Sequence, residues 1–165
     1  MFEHFDKPND LFAYRLGMAM TMEHDSLDML GTLEHAARSE KVKHLFSHHA
    51  DETRHQIQNL EKVFSILGLE PSNEASPTTK GLAKEGESLL SKSDDTLHDD
   101  VALSAALGTE HFEISAYQTL IATADSLGLK EVVDLLSENL QQEQHTSEEL
   151  KNAAEAAAHT TPSAA

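Results

Sequence analysis

The chain contains no cysteine. Disulfides, thiolate metal ligation and thiol catalysis are therefore excluded. Basic residues are scarce: 12 Lys and Arg stand against 29 Asp and Glu, a formal net charge of −17. Such a balance argues against a nucleic-acid partner and an anionic membrane surface, and favours solubility and cations. No apolar run reaches transmembrane length, and "MFEHFDKPND" lacks the basic and apolar regions of a secretory signal, so a soluble cytoplasmic protein is expected. No segment carries a convincing strand pattern. What the chain does have in unusual number is histidine, eleven in 165 residues. That length suffices for one domain with a real core.

Four long stretches carry apolar residues at three- and four-residue spacing, the mark of amphipathic helices. They run from about Pro8 to Arg38, Glu40 to Leu67, Asp99 to the mid-120s, and Leu129 into an alanine-rich end. The turns around "ARSEK" and "DSLGLK" are short, with Gly128 a natural C-cap, so helices one and two, and three and four, form antiparallel hairpins. A long connection, punctuated by Pro, Ser, Asn and Gly, joins the hairpins, and "KGLAKEGESLLSK" within it is expected to form a short extra helix. An all-α, ferritin-like four-helix bundle follows: two antiparallel hairpins joined by one long crossover. Residues 1–152 are assigned to the bundle and 153–165, "AAEAAAHTTPSAA", to a frayed helix end and disordered tail.

Each helix carries a glutamate inside its apolar stripe. Positions 16, 20, 23, 27 and 30 read Leu, Met, Glu, Leu, Leu. Positions 103, 107, 110, 114 and 117 read Leu, Leu, Glu, Ile, Tyr, and 133, 136, 140, 143, 147 and 150 read Val, Leu, Leu, Glu, Ser, Leu. In "HHADETRHQIQNLEKVFSILG" (48–68), Glu52 lies with His49 and Gln56 above Leu60 and Val63. The midpoint of Glu23 and Glu52 falls at the first turn, and that of Glu110 and Glu143 at the second. At 1.5 Å per residue, both pairs sit roughly 22–25 Å from their turns, in one layer.

Two carboxylates about 5 Å apart repel by roughly 3 kcal/mol at an effective dielectric near 20. Four cannot remain ionised in a core unless protons or cations neutralise them. Two divalent cations balance four negative charges. His55 follows Glu52 by three residues, so both can reach one metal, and Glu113 follows Glu110 in the same way. Oxygen-rich ligation with a little imidazole suits two iron ions, manganese, or a mixed iron–manganese centre. A lone glutamate in an apolar stripe is ordinarily a boundary residue with its head in water; four at matching heights are harder to dismiss. His49 is the more central histidine on its face, and is expected to donate to a ligand carboxylate or to be a ligand itself. His24, His35, His44 and His48 are expected in solvent, and His111 points off the ligand face. Tyr117 is a core residue with its hydroxyl bonded, or a redox-active neighbour of the centre.

The segment 48–68, together with "LGTEHFEISAYQTLIATADSLGLKEVVDLLSENLQQEQ", resembles the YciE/YciF-like bacterial stress-response branch of the ferritin-like superfamily. The resemblance runs from about residue 10 to 150. It implies a ferritin-like bundle, a homodimer and a dimetal carboxylate centre. On it, Glu23 and Glu143 match the first- and fourth-helix glutamates, Glu52 and His55 an ExxH pair, and Glu110 and Glu113 an ExxE pair. A second ExxH would need histidine at position 146, where Thr146 stands, with His145 one residue early. One metal is thus expected on Glu23, Glu52 and His55, and the other mainly on Glu110, Glu113 and Glu143, with Glu52 or Glu143 bridging, unless a bulge swings His145 inward. The absent cysteines exclude the rubredoxin-type iron domain of full rubrerythrins.

A redox protein of peroxidase, catalase or oxidase type is expected, its partners being metal ions and a small oxidant. The alternatives are an iron-handling ferroxidase or metal buffer without a storage cage, and a non-enzymatic stress protein with a structural metal. An oxygen-binding site of the hemerythrin kind would need about five inward histidines, where glutamates predominate here.

Overall fold

The computed structural model describes residues 4–160. The described residues form five α-helices and no strand: α1 (Pro8–Ala36), α2 (Glu40–Leu67), α3 (Pro77–Lys92), α4 (His98–Ser126) and α5 (Lys130–Thr160), with a 3-10 turn at Asp95–Leu97 before α4. The four long helices are the four read from the sequence, and α3 is the extra helix, beginning three residues earlier than "KGLAKEGESLLSK" does. None of these helices is long and apolar enough to cross a membrane.

The helix ends have local causes. Pro8 opens α1, where its missing N–H is no loss. Gly68 (φ 66°) closes α2 and Gly128 (φ 72°) follows α4, both in the left-handed conformation that glycine adopts without strain. α1 stops at Ala36 rather than Arg38, because Ala37 turns extended. Asp99, at the start of α4, then accepts the backbone N–H groups of Arg38 (2.6 Å) and Ser39 (3.1 Å to one oxygen, 3.3 Å to the other). One carboxylate thereby caps α2 and ties the first turn to the second hairpin.

Each long helix packs on two neighbours: α1 on α2 and α4, and α5 on α4 and α2. The seams α1–α4 and α2–α5 are therefore opposite faces of the bundle. α3 lies outside, against α4 and α1. Its first turn is pinned where Thr79 Oγ1 donates to Asp25 at 2.6 Å. Of the expected frayed helix end and tail, 153–165, the described part is helical. Residues 153–160 continue α5 as regular helix, with Ala153, Ala154 and Ala157 packed on the core. Alanine is the strongest helix former, and here it also finds apolar surface to cover. The rest of the expected tail, 161–165, lies outside the described residues.

The apolar interior is divided. One cluster, towards the α4–α5 turn, contains Phe12, Leu16, Leu60, Phe64, Leu120 and Leu136. The other, towards the α1–α2 turn, contains Leu30, Leu33, Phe46, Leu103, Ala106 and Leu150. Burying each large side chain is worth about 1.5–3 kcal/mol. The two clusters fix the rotation of every helix, and that rotation decides what the residues between them must face.

Candidate metal centre

On α4 the buried line runs Leu103, Ala106, Glu110, Glu113, Tyr117, Leu120. With its apolar ends held inside, the helix has no freedom to turn Glu110 and Glu113 to water. On α5, Leu136, Asn139, Glu143, Thr146 and Leu150 are buried in the same way. α1 contributes Glu23 and Ser26, and α2 contributes His49, Thr53 and Gln56. Glu23, His49, Glu110, Glu113 and Glu143 are each no more than 1% exposed.

Nε2 of His49 lies 3.1 Å from Glu110 and 3.9 Å from Glu143. One donor atom from each of His49, Glu110 and Glu143 falls within 4.8 Å of the others, close enough for one metal ion to touch all three. Tyr117 donates its hydroxyl to Glu23. Asn139 donates to the Tyr117 oxygen at 2.9 Å and to the Gln56 carbonyl at 3.2 Å, and Asn59 donates to Asn139 at 2.9 Å. Lys62 donates to Asn59 at 3.2 Å, so a chain of polar contacts leads from Glu23 to the surface.

The carboxylates themselves are poorly satisfied. Both oxygens of Glu113 and Glu143, one each of Glu23 and Glu110, and both ring nitrogens of His49 lack a hydrogen-bond partner; the close His49–Glu110 approach is not aligned as one. Buried polar atoms are rarely left so, and each costs about 1–3 kcal/mol. Burial, then the Glu143 charge, hold the Glu23, Glu110 and Glu113 carboxyls well above the ordinary glutamate value of 4.5. The Tyr117 bond opposes this at Glu23, and the Ser26 hydroxyl, near Glu113 but not aligned as a bond, opposes it there. Burial, then the charges of Glu23 and Glu143, push the Tyr117 hydroxyl up as well. Protons or cations must supply what the protein does not. Four buried carboxylates and one imidazole, most of their atoms unpartnered, suit a bound metal cation, and His49, Glu110 and Glu143 could hold one together.

The residues read from the sequence fall into three groups. Glu23, Glu110, Glu113 and Glu143 come together in the layer. Glu52 stands at its edge, with its side chain 18% exposed and Oε2 accepting from Thr146 at 3.0 Å. His55 and His145 lie outside: His55 pairs with Glu138 at 2.8 Å across the α2–α5 seam, and His145 is 3.8 Å from Glu149 with its side chain 67% exposed. His55 is about 120° around α2 from His49 at 100° per residue, which puts it on the rim. His145 is about 160° from Glu143 by the same count, and α5 has no bulge to turn it inward. The imidazole in the layer is that of His49, beside Glu110 and Glu143 rather than Glu23 and Glu52. The Asn139–Asn59 pair has no counterpart in the sequence reading, which placed Leu140 on the core line. The signal available was the polar pair Asn139 and Thr146, one heptad apart between Val132 and Leu150.

Two hairpins with a long crossover around a buried carboxylate layer define a ferritin-like bundle. The chain belongs to the family described as "Domain of unknown function (DUF892)", which matches residues 7–162. It is similar to Protein YciF of Escherichia coli (strain K12), with 29% identity over 147 residues, 88% of this chain and 89% of that one. The crystal structure of the E. coli stress protein YciF superposes with a TM-score of 0.90 at 26% identity, covering 95% of this chain and 100% of that one. YcfI from Rhodopseudomonas palustris gives a TM-score of 0.87 at 31% identity, covering 91% and 98%.

Proposed function

We propose that this is a dimetal-carboxylate protein of the ferritin-like type, reacting with peroxide or dioxygen in stress protection. The observation that carries it is the set of unpartnered buried atoms on Glu23, His49, Glu110, Glu113 and Glu143. Similarity to the stress protein YciF supports the setting. Glu23, Glu110, Glu113, Glu143 and His49 would hold two iron or manganese ions, with Glu52 closing the layer from its exposed side. When bound, such ions supply electrons for the reduction of a small oxidant. The chain's own part is to position and to shield. Tyr117, held by Asn139, fixes Glu23 and keeps a proton beside it. Thr146 fixes Glu52. The two apolar clusters keep bulk water from both ends of the layer.

Metal buffering without redox turnover is the second reading; Glu52, partly exposed at the edge of the layer, favours it. Protein produced with iron and manganese both supplied separates the two. About two ions per chain and rapid spectral change on stopped-flow mixing with peroxide or dioxygen are expected. Two ions per chain that stay inert to both oxidants leave buffering. No metal, or equal metal in wild type and Glu143→Gln, overturns both.

A further inference from the structure

Two faces of the bundle differ in what they offer a cation. Along the α2–α5 seam, His44, His48 and Glu52 follow at four-residue steps on α2, with His145 and Glu149 at the same step on α5. Four-residue steps stack side chains one turn apart on one helix face. A cavity of about 430 Å³ opens there, lined by His44, His48, Glu149 and Asn152, with Lys41 also in the lining. The ladder is not committed to structural bonds. His48 Nε2 lies 3.8 Å from Glu52, and His145 Nε2 lies 3.8 Å from Glu149, both too long for a hydrogen bond. Its lower end is Glu52, which Thr146 holds at the edge of the buried layer.

The opposite face differs in kind. The groove between α1 and α4, about 220 Å³, is lined by Met18, Met22, Phe112 and Leu120, and its one charged side chain is Arg15. It offers a cation no imidazole and no carboxylate, only the hydroxyls of Ser76, Ser115 and Thr119.

We propose that the α2–α5 seam loads the core: His44, His48, His145 and Glu149 capture a divalent first-row cation and pass it to Glu52, which delivers it to the layer. Imidazole with carboxylate suits such ions, and loose spacing suits capture that must also release. The inference rests on the core layer being a metal centre, as proposed above.

The test uses the full metal-free chain and Co²⁺. After mixing, samples are quenched at increasing times with excess EDTA, which strips surface ions first, then desalted and analysed for cobalt. The variants are His44→Ala/His48→Ala/His145→Ala and, on the opposite face, Ser115→Ala/Thr119→Ala, with melting temperatures recorded to show that each is folded. The seam variant should load about tenfold more slowly, the scale on which a lined cleft raises an on-rate. It should reach the same final cobalt content, and the opposite-face variant should match wild type. An unchanged loading rate at equal final content, or equal slowing in both variants, overturns the route alone. No quench-resistant cobalt in wild type overturns the core site, and the route with it.

Discussion

The apolar ends of the bundle and its middle are built from the same helices and face the same axis, yet they obey opposite rules. At the ends, Leu60 and Phe64, or Phe46 and Leu150, are buried with nothing left unpaired. In the middle, Glu23, Glu110, Glu113 and Glu143 are as deeply buried, and most of their oxygens find no partner. Stability comes from the ends, and it holds in place a layer that could not hold itself. Glutamate at these positions is a structural cost unless a cation or a proton accompanies it.

The largest effect separating the regions should come from the ends. Leu60→Ala or Phe46→Ala should cost about 2–5 kcal/mol by the lost transfer energy and the cavity left behind. Urea titration reads this, and metal per folded chain should be unchanged. Loss of metal at equal folded fraction would blur the distinction.

Metal removal comes next. An ion that binds only the folded chain, at a free concentration 100 times its Kd, adds about 2.7 kcal/mol. Melting should therefore fall clearly on chelation and recover when iron or manganese is restored. Equal melting of both forms contradicts a layer built for cations.

Changes within the layer should be smaller and of opposite sign in the two states. Glu113→Gln removes one charge from a crowded group and should raise the metal-free stability by about 1 kcal/mol, while lowering metal content. A fall in metal-free stability would mean that Glu113 is better satisfied than its bare oxygens imply.

The same logic sets a pH dependence. Glu23, Glu110 and Glu113 have folded pKa values above the ordinary 4.5, so the folded metal-free chain binds more protons than the unfolded chain. Their contribution is fully present below about pH 4.5 and is lost as the pH rises through the folded values. Metal binding requires ionised carboxylates, so the stabilisation gained from Mn²⁺ should grow over the same range. Melting curves with and without Mn²⁺ across the pH scale check this; parallel curves would deny the linkage.

Smallest of all, Glu149→Gln should leave both stability and final metal content within about 0.5 kcal/mol and experimental error of wild type, as surface changes do.

What the sequence disclosed and what it hid follow from the same geometry. The helices were legible because Leu16, Met20, Leu27 and Leu30, and their equivalents, repeat at the helical period between short turns. Glu23, Glu110 and Glu143 stood out as charges inside those stripes. His55 was read into the site because it follows Glu52 by three residues. Spacing of that kind says which side chains are neighbours, not which face they share. His49, on the line of Thr53, Gln56 and Leu60, turns to the core, while His55 pairs with Glu138 outside. Asn139 was hidden because a polar residue does not announce burial; only packing against Asn59 and Tyr117 reveals it. Glu52 lay between the cases, since a residue at the margin of a helix face is placed by its partner, here Thr146.

The most direct test is anomalous diffraction at the iron and manganese edges from crystals grown with both metals present. Two peaks should lie within the layer, in bonding contact with carboxylates of Glu23, Glu110, Glu113 and Glu143, and with His49 Nε2 on the ion nearer Glu110 and Glu143. A layer without peaks in metal-replete crystals, or peaks held only by surface residues such as His145 and Glu149, would contradict the account.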